Sequence, residues 1–352
     1  MQPKAKGTPL SLLGLPLVPL YFLGWRLRLA LHQRGIIPKR RLLAKVISVG
    51  NLTLGGSGKT PLVLYLSQGL QQRGKNPAVL SRGYGRKGRG PLLLAGTEGV
   101  NPQDVGDEPF LLAKYGVPVL VERDRAQSGM RAQIKGFSPL ILDDGYQYLG
   151  LHRDVDILTI DSSNPWGNGF LLPAGPLREP LGEMRRADII ILNRVDQAGD
   201  LTALKQKLWN IRGECPLFEA YYLPHSLHWL QGKEEVSPGE LKGRRVYALS
   251  AIGNPASFES TLEGLGAILV GKRRFLDHHL YKKLELARVE QVARRKGATW
   301  MVTTEKDEVK LTHLSPGNLP LFSLHMRLTI KEEENFWQAM DALLAGGSLR
   351  TT

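Results

Sequence analysis

The sequence predicts an α/β fold in which helices cover both faces of a parallel sheet. Short apolar segments alternate with helical segments through the first part of the chain, which is the pattern of parallel strands joined by helices. One of these segments, residues 46–49, runs directly into a glycine-rich loop that ends in Gly-Lys-Thr, an arrangement typical of P-loop domains. A second alternating block nearer the C-terminus predicts an additional, smaller α/β domain.

The elements follow in order along the chain. In the first block we expect strands at residues 46–49, 78–80, 117–121, 140–142, 156–160 and 189–192, with helices at 61–72 and 108–114. In the second block we expect strands at residues 246–249 and 300–303, with helices at 255–262 and 280–295. We also expect residues 218–223 and 319–324 to pair as a two-stranded connector, which would return a last helix over residues 330–344 to the first domain.

The N-terminus differs from the rest of the chain. Residues 7–25 carry no charge, a length close to that needed to cross a bilayer, and basic residues flank them on both sides. Pro9, Pro16 and Pro19 argue against a straight spanning helix, so we expect a segment that lies on or dips into the membrane; a buried core helix is the alternative. The chain then divides into a membrane-associating segment (1–35), a P-loop domain (36–222, joined by 325–352) and a smaller α/β domain (223–324).

Composition restricts the partners. The 352 residues include 47 Lys and Arg against 33 Asp and Glu, a formal net charge of +14, which favours an anionic lipid, a phosphorylated substrate or a nucleic acid. The basic residues are scattered and lack interleaved aromatic residues, so we do not expect nucleic acid, and no protein partner is evident. The single cysteine, Cys215, cannot form an intramolecular disulfide, which is consistent with a reducing cytoplasm.

Residues 50–60 read Gly-Asn-Leu-Thr-Leu-Gly-Gly-Ser-Gly-Lys-Thr. Glycines leave backbone N–H groups free to surround phosphate oxygens, Lys59 is suited to reach the β- and γ-phosphates, and the Thr60 hydroxyl is suited to ligate Mg²⁺. Thr53 stands where the strict spacing has glycine, and a glycine-rich turn without a ligand is the alternative. The loop predicts ATP or GTP binding by Thr53, Leu54, Gly55, Gly56, Ser57, Gly58, Lys59 and Thr60.

Two further strand ends carry polar residues. Asp143 and Asp144 follow the apolar segment 140–142, where P-loop proteins place the acidic residue that holds Mg²⁺; an Asp-Asp-Gly turn is the alternative. Residues 193–196 read Asn-Arg-Val-Asp and resemble the Asn-Lys-x-Asp guanine reader of GTPases, with arginine in place of lysine. A loop with a helix-capping aspartate accounts equally well for that segment.

The residue patterns alone do not assign a role to two further motifs. Asp107, in Gly-Asp-Glu-Pro, opens a helix, where the default role of aspartate is to cap the helix. Asp277, His278 and His279 suggest metal ligands, but no further histidine or cysteine follows at a useful spacing. An exposed loop is the alternative for that histidine pair.

Nine short motifs occur in a fixed order and together carry a specific resemblance. They are the P-loop (50–61), Ser-Arg-Gly-Tyr-Gly (81–85), Val-Gly-Asp-Glu-Pro (105–109), Asp-Asp-Gly-Tyr-Gln (143–147), Gly-Asn-Gly (167–169), Leu-Pro-Ala-Gly-Pro-Leu-Arg-Glu (172–179), Ala-Ile-Gly-Asn-Pro (251–255), Asp-His-His (277–279) and Thr-Thr-Glu-Lys-Asp (303–307). In this order the motifs resemble the tetraacyldisaccharide 4′-kinases, the lipid A 4′-kinases of Gram-negative-type bacteria, over nearly the whole chain.

The resemblance implies phosphorylation of the 4′-hydroxyl of a membrane-embedded, acylated glucosamine disaccharide 1-phosphate, with ATP and Mg²⁺ as cofactors. It implies a two-domain α/β fold with an N-terminal membrane-docking helix, located at the cytoplasmic face of the inner membrane as a peripheral or monotopic protein. A membrane-associated P-loop GTPase or NTPase is the alternative function, and a membrane-bound nucleotide sensor that lacks enzymatic activity is a third.

The resemblance also implies roles for single residues. Asp107 would be the catalytic base, assisted by His278, and Lys59 would act on the transferred phosphate. Substrate contacts are expected within the matched motifs, at Asn51, Arg82, Tyr84, Gln147, Arg178 and Glu179. The family commonly has histidine where this chain has Tyr148, so the role of that histidine does not carry over.

Overall fold

The computed structural model describes residues 14–55, 58–88, 90–232, 234–276, 279–311, 314 and 317–347. The strands in these residues are β1 (Val46–Gly50), β2 (Ala78–Ser81), β3 (Leu92–Leu94), β4 (Val119–Val121), β5 (Leu140–Asp143), β6 (Val155–Asp161), β7 (Ile189–Asn193), β8 (Leu217–Trp229), β9 (Glu235–Val236), β10 (Arg245–Ser250), β11 (Ile268–Arg274), β12 (Trp300–Thr304) and β13 (Leu321–Ile330). The helices are α1 (Val18–Gln33), α2 (Lys59–Gln72), α3 (Pro102–Val105), α4 (Asp107–Lys114), α5 (Arg125–Ile134), α6 (Thr202–Arg212), α7 (Pro255–Gly264), α8 (Lys283–Arg295), α9 (Glu305–Leu311) and α10 (Glu333–Leu344).

The strands form one sheet in the order β11-β10-β12-β13-β8-β7-β6-β1-β5-β2-β4-β3, and β9 pairs beside β8. From β4 to β8 every neighbouring pair is parallel, which confirms the predicted α/β class with a parallel sheet. The strand β1 lies centrally between β5 and β6. The loop that follows β1 therefore meets the ends of β5 and β6 at the same edge, where ligands bind in open α/β sheets.

The expected connector is present as the antiparallel pair β8 and β13, but both strands are longer than predicted. Strand β8 begins beside β7, and its later residues pair with the start of β13, so the two blocks share one continuous sheet. The predicted strand ends at residue 223 because proline follows at position 224, whereas β8 continues to Trp229. Pro224 lies opposite Met326 beside a register shift, and a bulge of this kind accommodates proline because the ladder is already interrupted there.

Side chains of successive strand residues pack on opposite faces, as the period of two requires. In β1, Ile47 and Val49 face a core formed with α2, α4 and α10, whereas Val46 faces a second core that includes Ala126 and Ala132 of α5. Helices therefore cover both faces of the sheet, as the sequence predicts.

The last helix, α10, packs on α2 of the P-loop part of the sheet. Trp337 of α10 packs so closely on α2 that a Cβ at Gly69 would lie 2.1 Å from its ring. The indole N–H donates to the hydroxyl of Tyr65 over 3.2 Å, and the guanidinium of Arg73 stacks 3.9 Å from the ring. Glycine at position 69 thus permits the close helix contact.

At the N-terminus, α1 presents an apolar stripe to solvent. Leu20, Leu23 and Leu27 are 68%, 64% and 59% exposed, and their spacing of three and four residues places them on one helix face. Pro19 lies in the first turn, where proline is tolerated. Residues 7–13 of the uncharged segment lie outside the described residues. Among the described residues, no helix has both the length and the apolar character needed to span a bilayer.

Candidate active site

The glycine-rich loop connects the end of β1 to the start of α2. Gly58, the residue before the helix, has φ of 79°, and a Cβ there would lie 2.1 Å from the Tyr222 hydroxyl and 2.8 Å from Asn193 Nδ2. Glycine is therefore required at position 58 both for its backbone conformation and for space. Gly56 and Ser57 lie outside the described residues. The N–H of Leu54 donates to the carbonyl of Pro176 over 2.7 Å, which fixes the loop to the segment 172–179.

Lys59 is the first residue of α2, and its side chain is only 13% exposed. Its Nζ donates to Asn51 Oδ1 over 3.1 Å and lies 3.5 Å from Asp144 Oδ1. Thr60 follows in the first turn of the helix, where backbone N–H groups and the helix dipole favour a bound phosphate. The predicted P-loop lysine thus lies beside the predicted metal carboxylates.

Asp143 ends β5 directly beside β1, where it pairs with Val49. Burial, followed by the charges of Glu108 and Asp144, raises the pKa of Asp143 to about 7. Burial would also raise the pKa of Asp144, but Lys59 and other nearby cations lower it below its ordinary value. Two adjacent carboxyl groups therefore have opposite pKa shifts, an arrangement common at functional sites.

A divalent cation suits this pair. Asp143 Oδ1 is buried and accepts no hydrogen bond, which is costly for a carboxylate oxygen unless a cation satisfies it. Asp144 Oδ1 is also buried and accepts no hydrogen bond, and the ammonium of Lys59 lies 3.5 Å from it. Asp144 adopts φ of 49°, a conformation uncommon outside glycine. The donor set of two carboxylates and the Thr60 hydroxyl is all oxygen, as Mg²⁺ prefers.

Arg125, which the sequence reasoning missed, binds the main chain of the two aspartates. Its Nη1 donates to the carbonyl oxygens of Asp143 and Asp144, each over 3.0 Å, and its guanidinium stacks 4.2 Å from the ring of Tyr148. The Tyr148 hydroxyl donates to Asp124 Oδ1, the side chain that caps α5. In this chain Tyr148 therefore positions Arg125, and through it the two aspartates.

Several of the predicted substrate residues form one polar network behind the loop. Gln147 donates to the carbonyl of Asn51 over 2.8 Å, and Arg178 donates to Asp144 Oδ2 over 2.7 Å and to Gln147 Oε1 over 3.3 Å. Glu179 is buried and accepts from Arg186 over 2.5 Å, so its carboxylate points away from the solvent. Gln147 and Arg178 thus connect Asn51, at the start of the glycine-rich loop, to Asp144.

The network also reaches the N-terminal helix. The Tyr21 hydroxyl donates to the carbonyl of Arg178 over 2.8 Å, and Arg28 donates to the carbonyl of Gln147 over 3.3 Å. The helix with the exposed leucine stripe is thus bonded to Arg178, which contacts Asp144, and to Gln147, which contacts Arg178.

Asp107 is the first residue of α4, and Gly106, with φ of 98°, is the N-cap residue. Asp107 therefore lies in the first turn of the helix and not at the N-cap position where the sequence places it by default. Its Oδ2 lies 3.0 Å from Nζ of Lys310, a residue of α9 that the sequence reasoning also missed. The carbonyl of Tyr84 lies 3.1 Å from where a Cβ of Gly106 would be, so the exposed loop of Arg82 and Tyr84 borders the start of α4.

The Asp-His-His motif is described only in part. Asp277 and His278 lie outside the described residues, so the expected pairing of His278 with Asp107 is not tested. His279 lies 2.7 Å from Glu285 Oε2 through its Nε2 and stacks on Phe275 with ring centroids 4.5 Å apart. That histidine is therefore engaged within the C-terminal part of the fold.

The segment Asn-Arg-Val-Asp ends β7 on the other side of β1. Asn193 is buried against the phosphate loop, Arg194 forms an ion pair with Asp161, and Asp196 is exposed. The side chains that a guanine reader would direct at one base thus point to different surroundings.

Comparison with known proteins agrees with this geometry. The family model described as Tetraacyldisaccharide-1-P 4′-kinase (LpxK) matches residues 10–345. A protein from Syntrophus aciditrophicus (strain SB) named tetraacyldisaccharide 4′-kinase is 40% identical over 348 residues, which cover 95% of this chain and 93% of that protein. A protein of the same name from Geobacter sulfurreducens is 37% identical over 342 residues, 95% of this chain and 93% of that one.

A solved structure extends the comparison to the fold. The "apo" form of LpxK from Aquifex aeolicus in complex with ATP superposes with a TM-score of 0.73 at 33% identity, covering 94% of this chain and 98% of that one. Both the sequence motifs and the sheet topology therefore lead to the same conclusion: the chain belongs to the tetraacyldisaccharide-1-P 4′-kinase family.

Proposed function

We propose that the chain transfers the γ-phosphoryl group of ATP to the 4′-hydroxyl of a tetraacylated glucosamine disaccharide 1-phosphate, a step of lipid A biosynthesis. The observation that carries this proposal is the convergence of Lys59, Asp143 and Asp144 at one sheet edge, in a chain of the 4′-kinase family. The membrane-associated GTPase alternative is not favoured, because the relatives are named as kinases and residues 193–196 do not converge on one base.

ATP would bind with its phosphates over residues 53–60. Backbone N–H groups of the loop and the N-terminus of α2 supply a positive potential there, and Lys59 adds a full charge. Its contacts with Asn51 and Asp144 keep the ammonium group at this edge. In phosphoryl transfer, positioning and charge stabilisation of this kind provide most of the catalysis.

Thr60, Asp143 and Asp144 would hold Mg²⁺. When bound, the ion would neutralise charge that develops on the phosphate oxygens. The buried carboxylate oxygens that accept no hydrogen bond support this assignment. Arg125 holds the main chain of the two aspartates, and Arg178 holds Asp144 Oδ2. The other carboxylate oxygens of Asp143 and Asp144 are therefore held in one orientation, available to a metal ion.

Asp107 would act as the general base. The 4′-oxygen forms a bond to the γ-phosphorus, the bond from that phosphorus to the bridging oxygen of ADP breaks, and the hydroxyl proton passes to the Asp107 carboxylate. The neighbouring Glu108 lies close enough to Asp143 to raise its pKa, which supports a place for α4 next to the phosphate site. By the resemblance, His278 would assist Asp107.

We propose that some residues contact the substrate directly and that others shape its binding site. Arg82 and Tyr84 are exposed beside the start of α4, where a charged and an aromatic side chain suit a sugar phosphate. Asn51, Gln147, Arg178 and Glu179 would act indirectly, by shaping the wall behind the loop.

The membrane would be reached through α1. Its exposed leucine stripe and its arginines match a helix that lies in the interface of an anionic membrane, so we propose a peripheral or monotopic protein at the cytoplasmic face of the inner membrane. We also propose that residues 36–222 with 325–352 form the kinase domain and residues 223–324 a smaller domain.

Two measurements test the catalytic assignment. A nucleotide competition assay should show preference for ATP, whereas a GTPase would prefer GTP by orders of magnitude. Asp107→Ala should lower kcat by roughly 10²–10⁴-fold while ATP affinity is retained. Loss of ATP binding or of folding in this variant would assign Asp107 a structural role instead.

A further inference from the structure

Lys310 reaches from α9 to the start of α4. Its Nζ lies 3.0 Å from Asp107 Oδ2, and the lysine side chain is only 3% exposed. A lysine at this depth is costly to bury without an opposite charge. The carboxylate of Asp107 supplies such a charge at ion-pair distance, although the two residues are far apart in sequence, and the charge of Asp307 on the same helix also interacts with Lys310.

The helix that carries Lys310 is itself fixed at its start. Asp307 Oδ2 accepts the N–H of Ala251 over 2.9 Å and the hydroxyl of Thr304 over 2.7 Å. Lys310 lies three residues after Asp307, about one helical turn further, on the same side of α9. The Thr-Thr-Glu-Lys-Asp motif therefore anchors the turn from which Lys310 extends.

We propose that Lys310 is a positioning residue for Asp107, holding its carboxylate in one orientation toward the reacting hydroxyl. This inference rests on the proposed function, in which Asp107 is the base. A carboxylate in the first turn of a helix can also turn back toward the free N–H groups of that helix. The buried ammonium of Lys310 supplies a competing contact from outside the helix, and base catalysis depends on such fixed geometry.

A second ion pair joins the same two helices and provides a matched control. Lys114, at the end of α4, lies 2.8 Å from Glu308 of α9. Its removal would weaken the contact between α4 and α9 without touching Asp107. If Lys310→Met lowers kcat only by weakening the packing of α4 on α9, Lys114→Met should lower kcat equally. If Lys310→Met lowers kcat by displacing Asp107, Lys114→Met should not lower it.

The test is a double-mutant cycle on the full chain, with kcat, KM for ATP and the melting temperature measured for each variant. Lys310→Met keeps the length of the side chain and removes its charge. We expect kcat to fall about 10- to 100-fold with KM for ATP within about twofold, as for a displaced catalytic group. In the Asp107→Asn background the same change should alter kcat less than about twofold, because the group it positions is already inactive.

Further variants and the remaining outcomes complete the test. Lys310→Arg, which retains the positive charge, should recover part of the lost kcat, and this variant remains informative if Lys310→Met does not fold. A normal kcat in Lys310→Met, an equal loss in Lys114→Met, or an undiminished loss in the Asp107→Asn background would overturn the positioning role and leave Asp107 as the base. A normal kcat in Asp107→Asn itself would overturn both the base assignment and this inference.

Discussion

Nζ of Lys59 lies 3.5 Å from Oδ1 of Asp144, so the lysine of the glycine-rich loop and one of the two carboxylates proposed to hold Mg²⁺ are already paired with each other. Asn51 accepts from the same ammonium over 3.1 Å. The residues that would bind phosphate and metal are thus held ready by one another, which reduces the reorganisation that catalysis requires.

The first prediction concerns this lysine. Lys59→Ala and Thr60→Ala should each lower kcat at least about 10²–10³-fold, because the transferred group loses a cation or a metal ligand. Lys45→Ala is the control, since Lys45 lies at the opposite end of β1 in an ion pair with Asp154. Near-normal turnover of a folded Lys59→Ala protein would show that the loop is not a phosphate site.

The second prediction concerns the metal. Asp143→Asn and Asp144→Asn should raise the Mg²⁺ concentration needed for half-maximal activity, because each change removes a charged ligand. Asp196→Asn removes an exposed carboxylate near the same sheet edge and should leave the Mg²⁺ titration unchanged. If both of the first two variants titrate like the wild type, the metal lies elsewhere.

The third prediction depends on a buried cluster between β13 and α9. Burial alone would lower the pKa of His325, but its hydrogen bonds to Glu305 and Glu308 raise it to about 9. Burial would raise the pKa of Glu308, whereas His325 and Lys114 lower it to about 2. His228 stacks on His325 with ring centroids 3.6 Å apart and planes 15° apart. His228, Glu308 and His325 lie close enough together to be considered as metal ligands. The lone pairs of stacked rings lie in parallel planes and do not converge on one point, so we interpret the cluster as an ion-pair network and not as a metal centre.

A histidine whose pKa is raised by folding stabilises the protein fully below its ordinary value of 6.5, and this contribution is lost as pH rises through about 9. The stability difference between the wild type and His325→Gln should therefore shrink by roughly 1–3 kcal/mol between these limits. Melting temperatures of both proteins across this range measure it, with replacement of the exposed histidine, His152→Gln, as the control. Parallel curves for the wild type and His325→Gln would contradict the charged state of His325.

The fourth prediction concerns the apolar stripe of α1. Replacing Leu20, Leu23 and Leu27 together by serine should weaken binding to anionic vesicles at least about tenfold, because each buried leucine contributes about 1.5–3 kcal/mol. ATP binding should be unchanged. Ile134→Ser is the control, since Ile134 is 83% exposed on α5. Vesicle binding that survives the triple replacement would remove α1 from the membrane contact.

The parts of the site that follow a local pattern could be predicted from the sequence. An apolar strand followed by a glycine-rich loop fixes the place of Lys59, and a strand ending in two aspartates fixes that of Asp143 and Asp144. Both strands lie side by side because β1 and β5 pair in register, a step that parallel α/β topology makes expected.

The remaining parts depend on contacts between distant residues. Lys310 and Asp107 meet only because α9 packs on α4, and no spacing in the sequence encodes that contact. Arg125 follows the capping residue of α5 and reads as an ordinary helical arginine until β5 is placed beside it. The strand β11 was missed because its second half is Lys-Arg-Arg, at the edge of the sheet, where charged residues are favoured because they discourage edge pairing.

The most direct test of the central claim is phosphate transfer from ATP labelled at the γ-position to a tetraacylated disaccharide 1-phosphate in mixed micelles. A substrate with a free 4′-hydroxyl is compared with its 4′-deoxy analogue, and the lipid products are separated by thin-layer chromatography. We predict that the label appears only in the lipid with the free hydroxyl, and that Asp107→Asn slows this transfer by roughly 10²–10⁴-fold. ATP hydrolysis without labelled lipid, or equal labelling of the deoxy analogue, would contradict the account.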